Sequence, residues 1–296
     1  MSDSTLHLDD NNLPGLYQSA DKASISAQSV YFCALRLYLY LLIVAAFISY
    51  NWPSDAYAAI ASAILFLVTL GILIFLRIQR PDDQWYNGRA VAESVKTRSW
   101  RWVMRAEPYE QNEKIEIVSK QFINDLKAIL TQNRSLSDYL QSGSGINDPI
   151  SNTMLEIRNL PVVDRLSLYK EQRIDNQAKW YSLKSQFNKR RARQWFWGSV
   201  ALHATAILFL LYRIKEPTIS LPVAVVATAA GAVLTWLQAK KHNELNSSYA
   251  LAAHEIVLIK GEAESVQSER EISEFVINSE NAFSREHTQW TARKVD

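Results

Sequence analysis

VYFCALRLYLYLLIVAAFISY (Val30–Tyr50) and YAAIASAILFLVTLGILIFL (Tyr57–Leu76) are separated only by Asn51-Trp-Pro-Ser-Asp-Ala56. At a rise of about 1.5 Å per helical residue, each run reaches about 30 Å, the thickness of a hydrocarbon layer. Pro53 breaks the helix between them, so the pair reads as a hairpin that enters a membrane and returns. A second pair, Trp195–Tyr212 and Ile219–Leu237, turns at Lys215-Glu-Pro-Thr218. Pro222 falls in the first turn of its second run, where a missing N–H costs little. A soluble reading would need helices apolar on every face, buried in a core the polar remainder cannot supply. The fold class expected is an all-α membrane protein with two transmembrane hairpins (four spans) and a cytosolic helical stalk or bundle.

Charge sets the expected orientation. The chain has 296 residues and a formal net charge of +2, unevenly spread. Residues 77–194 hold 21 Lys and Arg against 14 Asp and Glu, whereas both flanks are net acidic. Arg77, Arg80 and Arg89 follow the second span. Lys189, Arg190, Arg191 and Arg193 precede the third, and Lys240 and Lys241 follow the fourth. The positive-inside rule puts all of them in the cytosol, with both termini, and turns the short loops outward. Arg213 and Lys215 oppose this weakly. The expected location is therefore a cell membrane, multi-pass, with cytoplasmic termini. The acidic start (Asp3, Asp9, Asp10) lacks a cleavable signal pattern, so the first span is expected to direct insertion. Cys33 stands alone, which supplies neither an internal disulfide nor a metal site. The sequons at Asn133 and Asn246 fall on the cytosolic side, where no sugar is expected.

Each half follows one plan: a helix in, a tight turn, a helix out, then a charged aromatic-bearing helix. That is a weak internal repeat with a period of about 150 residues. The expected domains are 1–135, a linker over 136–160, and 161–296. Residues 112–131 carry a one-sided stripe of Ile115, Val118, Phe122, Leu126, Ile129 and Leu130. Gln141–Asn152 reads as a loop. No Gly or Pro interrupts Val162–Phe196, and Leu166, Tyr169, Arg173, Trp180, Lys184 and Phe187 mark one face. A continuous helix running on into the third span, about 50 residues long, would reach roughly 75 Å. Beyond the fourth span, Leu245, Tyr249, Ala252, Ile256 and Ile259 form another stripe, which Gly261 is expected to end. The last helix, with Ile272, Val276, Ser279, Phe283 and Trp290, is expected to fold back antiparallel, with a face that also serves an oligomer.

Few residues carry chemistry. Arg36 lies within the first span. Either its stem lifts the guanidinium to the headgroups, or it serves a pore or ligand. His203 lies mid-span, where an ionisable group is either functional or a neutral imidazole bonded to a neighbouring helix, for example at Thr69 or Thr228. In the fourth span Ala227, Gly231 and Thr235 share one face. Small-xxx-small spacing lets backbones approach, either within one protomer or around an oligomeric pore. His203, Thr228, Gly231 and Thr235 are thus the pore-lining candidates. The stretch WYNGRAVAESVKTRSWRW (Trp85–Trp102) pairs Arg89 with Glu93 four residues on, and offers Trp100 and Arg101. It reads as a solvated helix beside the membrane, or as a seat for a phosphate-bearing ligand. REHTQW (Arg285–Trp290) clusters donors with an aromatic, as a polar network or a contact site. Arg89, Glu93, Trp100, Arg101, Arg285, Glu286 and Trp290 are the cytosolic sensing or gating candidates.

Enzymatic patterns are missing. Gly143-Ser-Gly145 is no phosphate loop, the five histidines have no metal-ligand spacing, and no serine sits in a nucleophile elbow. No cofactor, metal or direct nucleic-acid binding is expected, because membrane flanking already accounts for the basic segment.

Two segments together resemble the SLATT superfamily: WYNGRAVAESVKTRSWRWVMRAEPY (Trp85–Tyr109) after the first hairpin, and NSENAFSREHTQWTARK (Asn278–Lys294) after the second. YKEQRIDNQAKWYSLKSQFNKRRARQ (Tyr169–Gln194) resembles the helix that leads into the second copy. The resemblance covers nearly the whole chain as a duplicated, four-span form. It implies a helical two-span module of bacteria, associated with nucleotide-synthesising and nucleotide-sensing proteins of anti-phage systems. Such modules are proposed to perforate or disrupt the inner membrane, and some accompany large soluble assemblies. The expected function is an effector that oligomerises and opens a pore on a nucleotide second messenger or a protein signal. The partners expected are the lipid bilayer, further copies of the chain and a soluble defence complex. The rival is a non-conducting scaffold that docks such a complex at the membrane. A transporter and an enzyme are disfavoured, for want of an alternating-access site and of any acid–base pair.

Overall fold

The computed structural model of the chain describes residues 6–110, 114–136 and 148–292. Among them the α-helices follow in order: α1 (Gly15–Asn51), α2 (Ala56–Gln79), α3 (Pro81–Val103), α4 (Ile115–Gln132), α5 (Asn152–Arg158), α6 (Val162–Tyr169), α7 (Asn176–Lys215), α8 (Val223–Lys240), α9 (His242–Glu262) and α10 (Glu269–Ala292). A π-helical turn, Lys170–Asp175, joins α6 to α7. Four helical stretches are long and apolar enough to cross a membrane: Gly15–Asn51, Ala56–Val103, Val162–Lys215 and Val223–Ser265. The protein is an all-α membrane protein. Most of the expected loop Gln141–Asn152 lies outside the described residues.

The chain forms two compact units. One comprises residues 29–81 and 184–247 and contains both apolar hairpins. In the first hairpin Asp55 caps α2, its carboxylate accepting from the Tyr57 N–H at 2.8 Å. The small buried residues Ala45, Ala58 and Ser62 let α1 and α2 pack closely. Facing outward, Leu67 is 71 % and Leu208 64 % exposed, among many other bare aliphatic side chains. Water would not tolerate such a surface, whereas lipid solvates it.

Both returning spans end alike. Arg80 after α2 and Lys241 after α8 have φ of 44° and 48°, in the left-handed region. Their N–H groups donate to the carbonyls of Leu76 (3.1 Å) and Leu237 (3.0 Å), and a new helix follows at once. A basic residue therefore takes the role that glycine usually fills at a helix end. This shared stop is a backbone-level likeness between the two halves.

The other unit comprises residues 1–28, 82–183 and 248–296 and holds a conventional core. Trp100, Trp102, Met104, Tyr109, Phe122, Met154, Ile157, Tyr169 and Ile174 are all essentially inaccessible. The α4 stripe docks there through Val118, Phe122 and Leu126, while Ile115 and Leu130 stay exposed. The expected linker 136–160 contains a helix, α5, capped by Ser151, and Met154 and Ile157 of that helix join the core. As expected near Gly261, α9 ends one residue later at Glu262; a short 3-10 turn, Ala263–Ser265, carries the chain to Val266, and Ser268 and Glu271 form a reciprocal capping box that starts α10.

The start of α1 packs against α3 with almost no clearance. A Cβ on Gly88 would lie 3.1 Å from Ala20 O, Ser24 Cβ and Ser24 N. The Ser24 hydroxyl donates to the Trp85 carbonyl at 3.0 Å. Gly88→Val is expected to lower stability by about 1–3 kcal/mol, since backbone atoms cannot yield to the added carbons. Chemical unfolding in detergent, followed by Trp fluorescence, measures it, and an unchanged midpoint would contradict the close approach.

Candidate functional site

The π turn is an extra-residue insertion in an otherwise regular helix, and such turns recur where a side chain must be re-aimed. Here it delivers Arg173, only 2 % exposed, to Glu280 of α10, which is fully buried. The guanidinium donates twice, Nε to Oε1 at 2.9 Å and a terminal nitrogen to Oε2 at 2.8 Å. The Tyr169 hydroxyl donates to Oε1 and the Thr97 hydroxyl of α3 to Oε2, both at 2.9 Å. Glu280 thus accepts four hydrogen bonds, from α3, α6 and the π turn. Bidentate geometry and full satisfaction are what make a charge pair tolerable away from water. Trp100 and Phe275 close the site, each edge-on to the Tyr169 ring, and Phe283 lies 5.0 Å from the Arg173 guanidinium. Burial pushes the Tyr169 hydroxyl well up, and adjacent Glu280 adds to it, so it stays protonated and donating. Burial alone would lower the Arg173 guanidinium, but Glu280 outweighs it and raises it. The neighbouring residue of the turn, Gln172, clamps the N-terminal segment: its amide donates to the Leu6 carbonyl (2.8 Å) and accepts from the Leu8 N–H (2.9 Å).

A second cluster closes the end of α3, whose last carbonyls have no helical partner. Arg158 of α5 donates to the carbonyls of Trp102 and of Tyr109, the latter at 2.8 Å. Arg165 of α6, fully buried, donates to the Met104 carbonyl at 2.7 Å and to Glu269. Arg105 reaches the same carboxylate at 3.5 Å. Burial, then Arg105 and Arg165, pushes the Arg158 guanidinium down to about 10. Cationic side chains at a helix C-terminus complement its dipole, so these arginines are explained as caps.

The sensing candidates divide. Arg89 pairs with Glu93 at 2.6 Å and with Asp21 of α1 at 3.5 Å, tying α1 to α3. Trp100 is a buried wall of the Glu280 site. Arg101 donates to Asn281 at 2.6 Å, next to Glu280. Its Nε is buried with no partner among the described residues, as is the Trp102 indole N–H. Arg285, Glu286 and Trp290 lie on α10, and their side chains are outside the described residues. The pore candidates lie in the other unit. His203 does not bond Thr69 or Thr228. Its Nδ1 meets the Ser199 carbonyl of its own helix at 2.8 Å. Thr228 and Thr235 donate to the carbonyls of Ala224 and Gly231 in the same i−4 manner, and Thr69 to that of Phe66, three residues back. His203 and these threonines thus close on their own helices, the cheapest solution in lipid. Gly231 has open space where a Cβ would stand, so the small-residue face is not packed within the protomer.

In the sequence Arg173 reads as one member of a stripe, and Glu280 is not among the candidates. The signal that finds them is a charge inside an apolar stripe. Arg173 continues Leu166 and Tyr169, and Glu280 continues Ile272 and Val276. Opposite charges in two such stripes predict each other.

Two family models match the chain in tandem. Residues 14–166 match the family model described as SMODS and SLOG-associating 2TM effector domain 3. Residues 169–290 match the one described as SMODS and SLOG-associating 2TM effector domain 1. No curated protein and no solved structure matches the chain. The Glu280 cluster joins residues of both matched regions, Thr97 from the first and Tyr169, Arg173 and Glu280 from the second.

Proposed function

The chain belongs to the SLATT family of two-transmembrane effector domains, carried here in tandem, and from that premise we propose that it is an effector of a bacterial anti-phage system that permeabilises the inner membrane as a homo-oligomer. The observation that carries this reading is the bare face of α8. Ala227, Gly231 and Thr235 share it and stand exposed. A small-residue face allows backbones to approach where no hydrophobic force drives helices together, so a second copy is its natural partner. His203 and the span threonines, already satisfied internally, give an oligomeric lumen modest polarity without cost to the single chain. Both termini, and the α3 and α10 signature segments, are cytoplasmic in this reading. The trigger is a nucleotide or a soluble defence protein acting on the α3–α10 side. The chain itself catalyses nothing.

One observation favours the scaffold as second reading. Because His203, Thr228 and Thr235 close on their own helices, these mid-span polar groups need no water-filled lumen to be satisfied. Inducible expression with a membrane-potential dye, with and without the neighbouring genes, separates the two. The effector depolarises cells under a triggering condition. Intact potential under every condition, with co-purification of a soluble complex, would favour the scaffold.

A further inference from the structure

In the unit formed by the hairpins, α1 and α8 run antiparallel. Phe32 packs edge-on to Trp236 with centroids 5.8 Å apart, Leu35 and Leu39 pack with Ala232, and the Tyr50 hydroxyl donates to the Ser220 carbonyl at 2.9 Å. This register brings Arg36 and Lys240 to the same end of the pair. Arg36 Nε donates to the Phe32 carbonyl at 3.2 Å, which draws the guanidinium back toward the start of α1. Lys240 Nζ lies 3.2 Å from the Phe32 ring centroid and 5.1 Å from that of Trp236. Both cations therefore gather at Phe32, the guanidinium at its carbonyl and the ammonium over its ring. Among the described residues neither forms an ion pair. The ring faces offset part of the ammonium charge and none of the guanidinium charge.

Depth identifies what completes the site. Trp195 and Trp236 lie 6.3 Å apart at this end of the hairpins, and indoles of spanning helices favour the boundary between acyl chains and headgroups. The convergent cations then sit in the phosphate layer. We propose that Arg36 and Lys240 form a headgroup site for an anionic phospholipid, whose phosphodiester oxygens accept from both side chains while its acyl chains follow α1 and α8. A zwitterionic choline lipid fits poorly. Its ammonium would add a third positive charge, and Lys240 already occupies the Phe32 face that would otherwise bind it.

The test uses the full chain in neutral detergent, with lipid retention counted by native mass spectrometry. Phosphatidylglycerol and phosphatidylcholine are the two probes, and sodium phosphate is the soluble competitor. Retention of phosphatidylglycerol over phosphatidylcholine is expected. It should weaken roughly tenfold in Arg36→Gln and in Lys240→Gln, the loss of one charge-assisted contact. Lys240→Arg should restore it. Arg193→Gln, which removes an exposed charge of α7 elsewhere in the same unit, should leave it unchanged. Equal loss in Arg193→Gln would reduce the effect to diffuse attraction and overturn the site. Equal retention of both lipids would overturn the charge argument. Displacement by sodium phosphate at the same concentration as the lipid would reassign the site to a soluble anion.

Discussion

Glu280→Ala is expected to cost about 3–5 kcal/mol, the range for removing one partner of a buried ion pair. The substitution leaves the Arg173 charge without its carboxylate and orphans the hydroxyls of Tyr169 and Thr97 at once. A typical domain has about 5–15 kcal/mol in total, so the unit holding this cluster comes close to unfolding. Milder changes rank the contributions. Tyr169→Phe and Thr97→Val each remove one hydrogen bond while Arg173 still holds the carboxylate, and each is expected to cost about 1–1.5 kcal/mol. The double change Arg173→Met with Glu280→Leu removes both charges and is expected to recover much of the loss, though the two hydroxyls stay unpaired. Urea unfolding in detergent gives the magnitudes, and hydrogen exchange along α10 locates them. A Glu280→Ala protein with the wild-type midpoint and protected α10 amides would show that the cluster does not hold the fold. Because Thr97 belongs to the first matched region and the other three residues to the second, this same measurement reports how firmly the tandem copies are joined.

The fold was legible where physics is one-dimensional. Apolar runs of span length, Pro53 between two of them and the capping chemistry of Asp55 need no tertiary information. The α4 stripe was equally readable, since Val118, Phe122 and Leu126 recur at helical spacing. What escaped was set by pairing across long separations. Nothing near Gln172 announces that its amide will clamp Leu6 and Leu8, and nothing in Val162–Phe196 marks an inserted π residue. The turn carries Arg173, whose partner Glu280 lies 107 residues away. The left-handed stops at Arg80 and Lys241 were hidden for a different reason. Glycine advertises that conformation, but here positively charged side chains occupy it. In sequence Trp100 belongs to a stretch that reads as a solvated helix or a ligand seat. In the fold it turns inward onto Tyr169, and α3 is amphipathic where the sequence suggested a solvated helix.

Gly231→Leu is expected to abolish self-association and, with it, any permeabilising activity, while leaving the single chain folded. The logic runs through what the substitution does not disturb. Gly231 is exposed and no neighbouring atom lies within 4 Å of a Cβ built there, so the added side chain starts into open space. Leucine also favours a helix over glycine by nearly 1 kcal/mol, so the variant has no reason to lose helicity. A leucine there does hold two α8 backbones apart, and in lipid the association rests on close packing alone. An interface that loses its contact row should weaken by at least about tenfold, or 1.4 kcal/mol. Gly71→Leu on α2 is the matched control: it too has open space around it, but it lies outside the α8 small-residue row. Cross-linking in native membranes and dye release from vesicles read the two consequences separately. Loss of both in Gly231→Leu alone supports assembly through α8. Equal loss in Gly71→Leu would mean that any added bulk perturbs the hairpins, and intact cross-links in Gly231→Leu would move the interface away from α8 altogether.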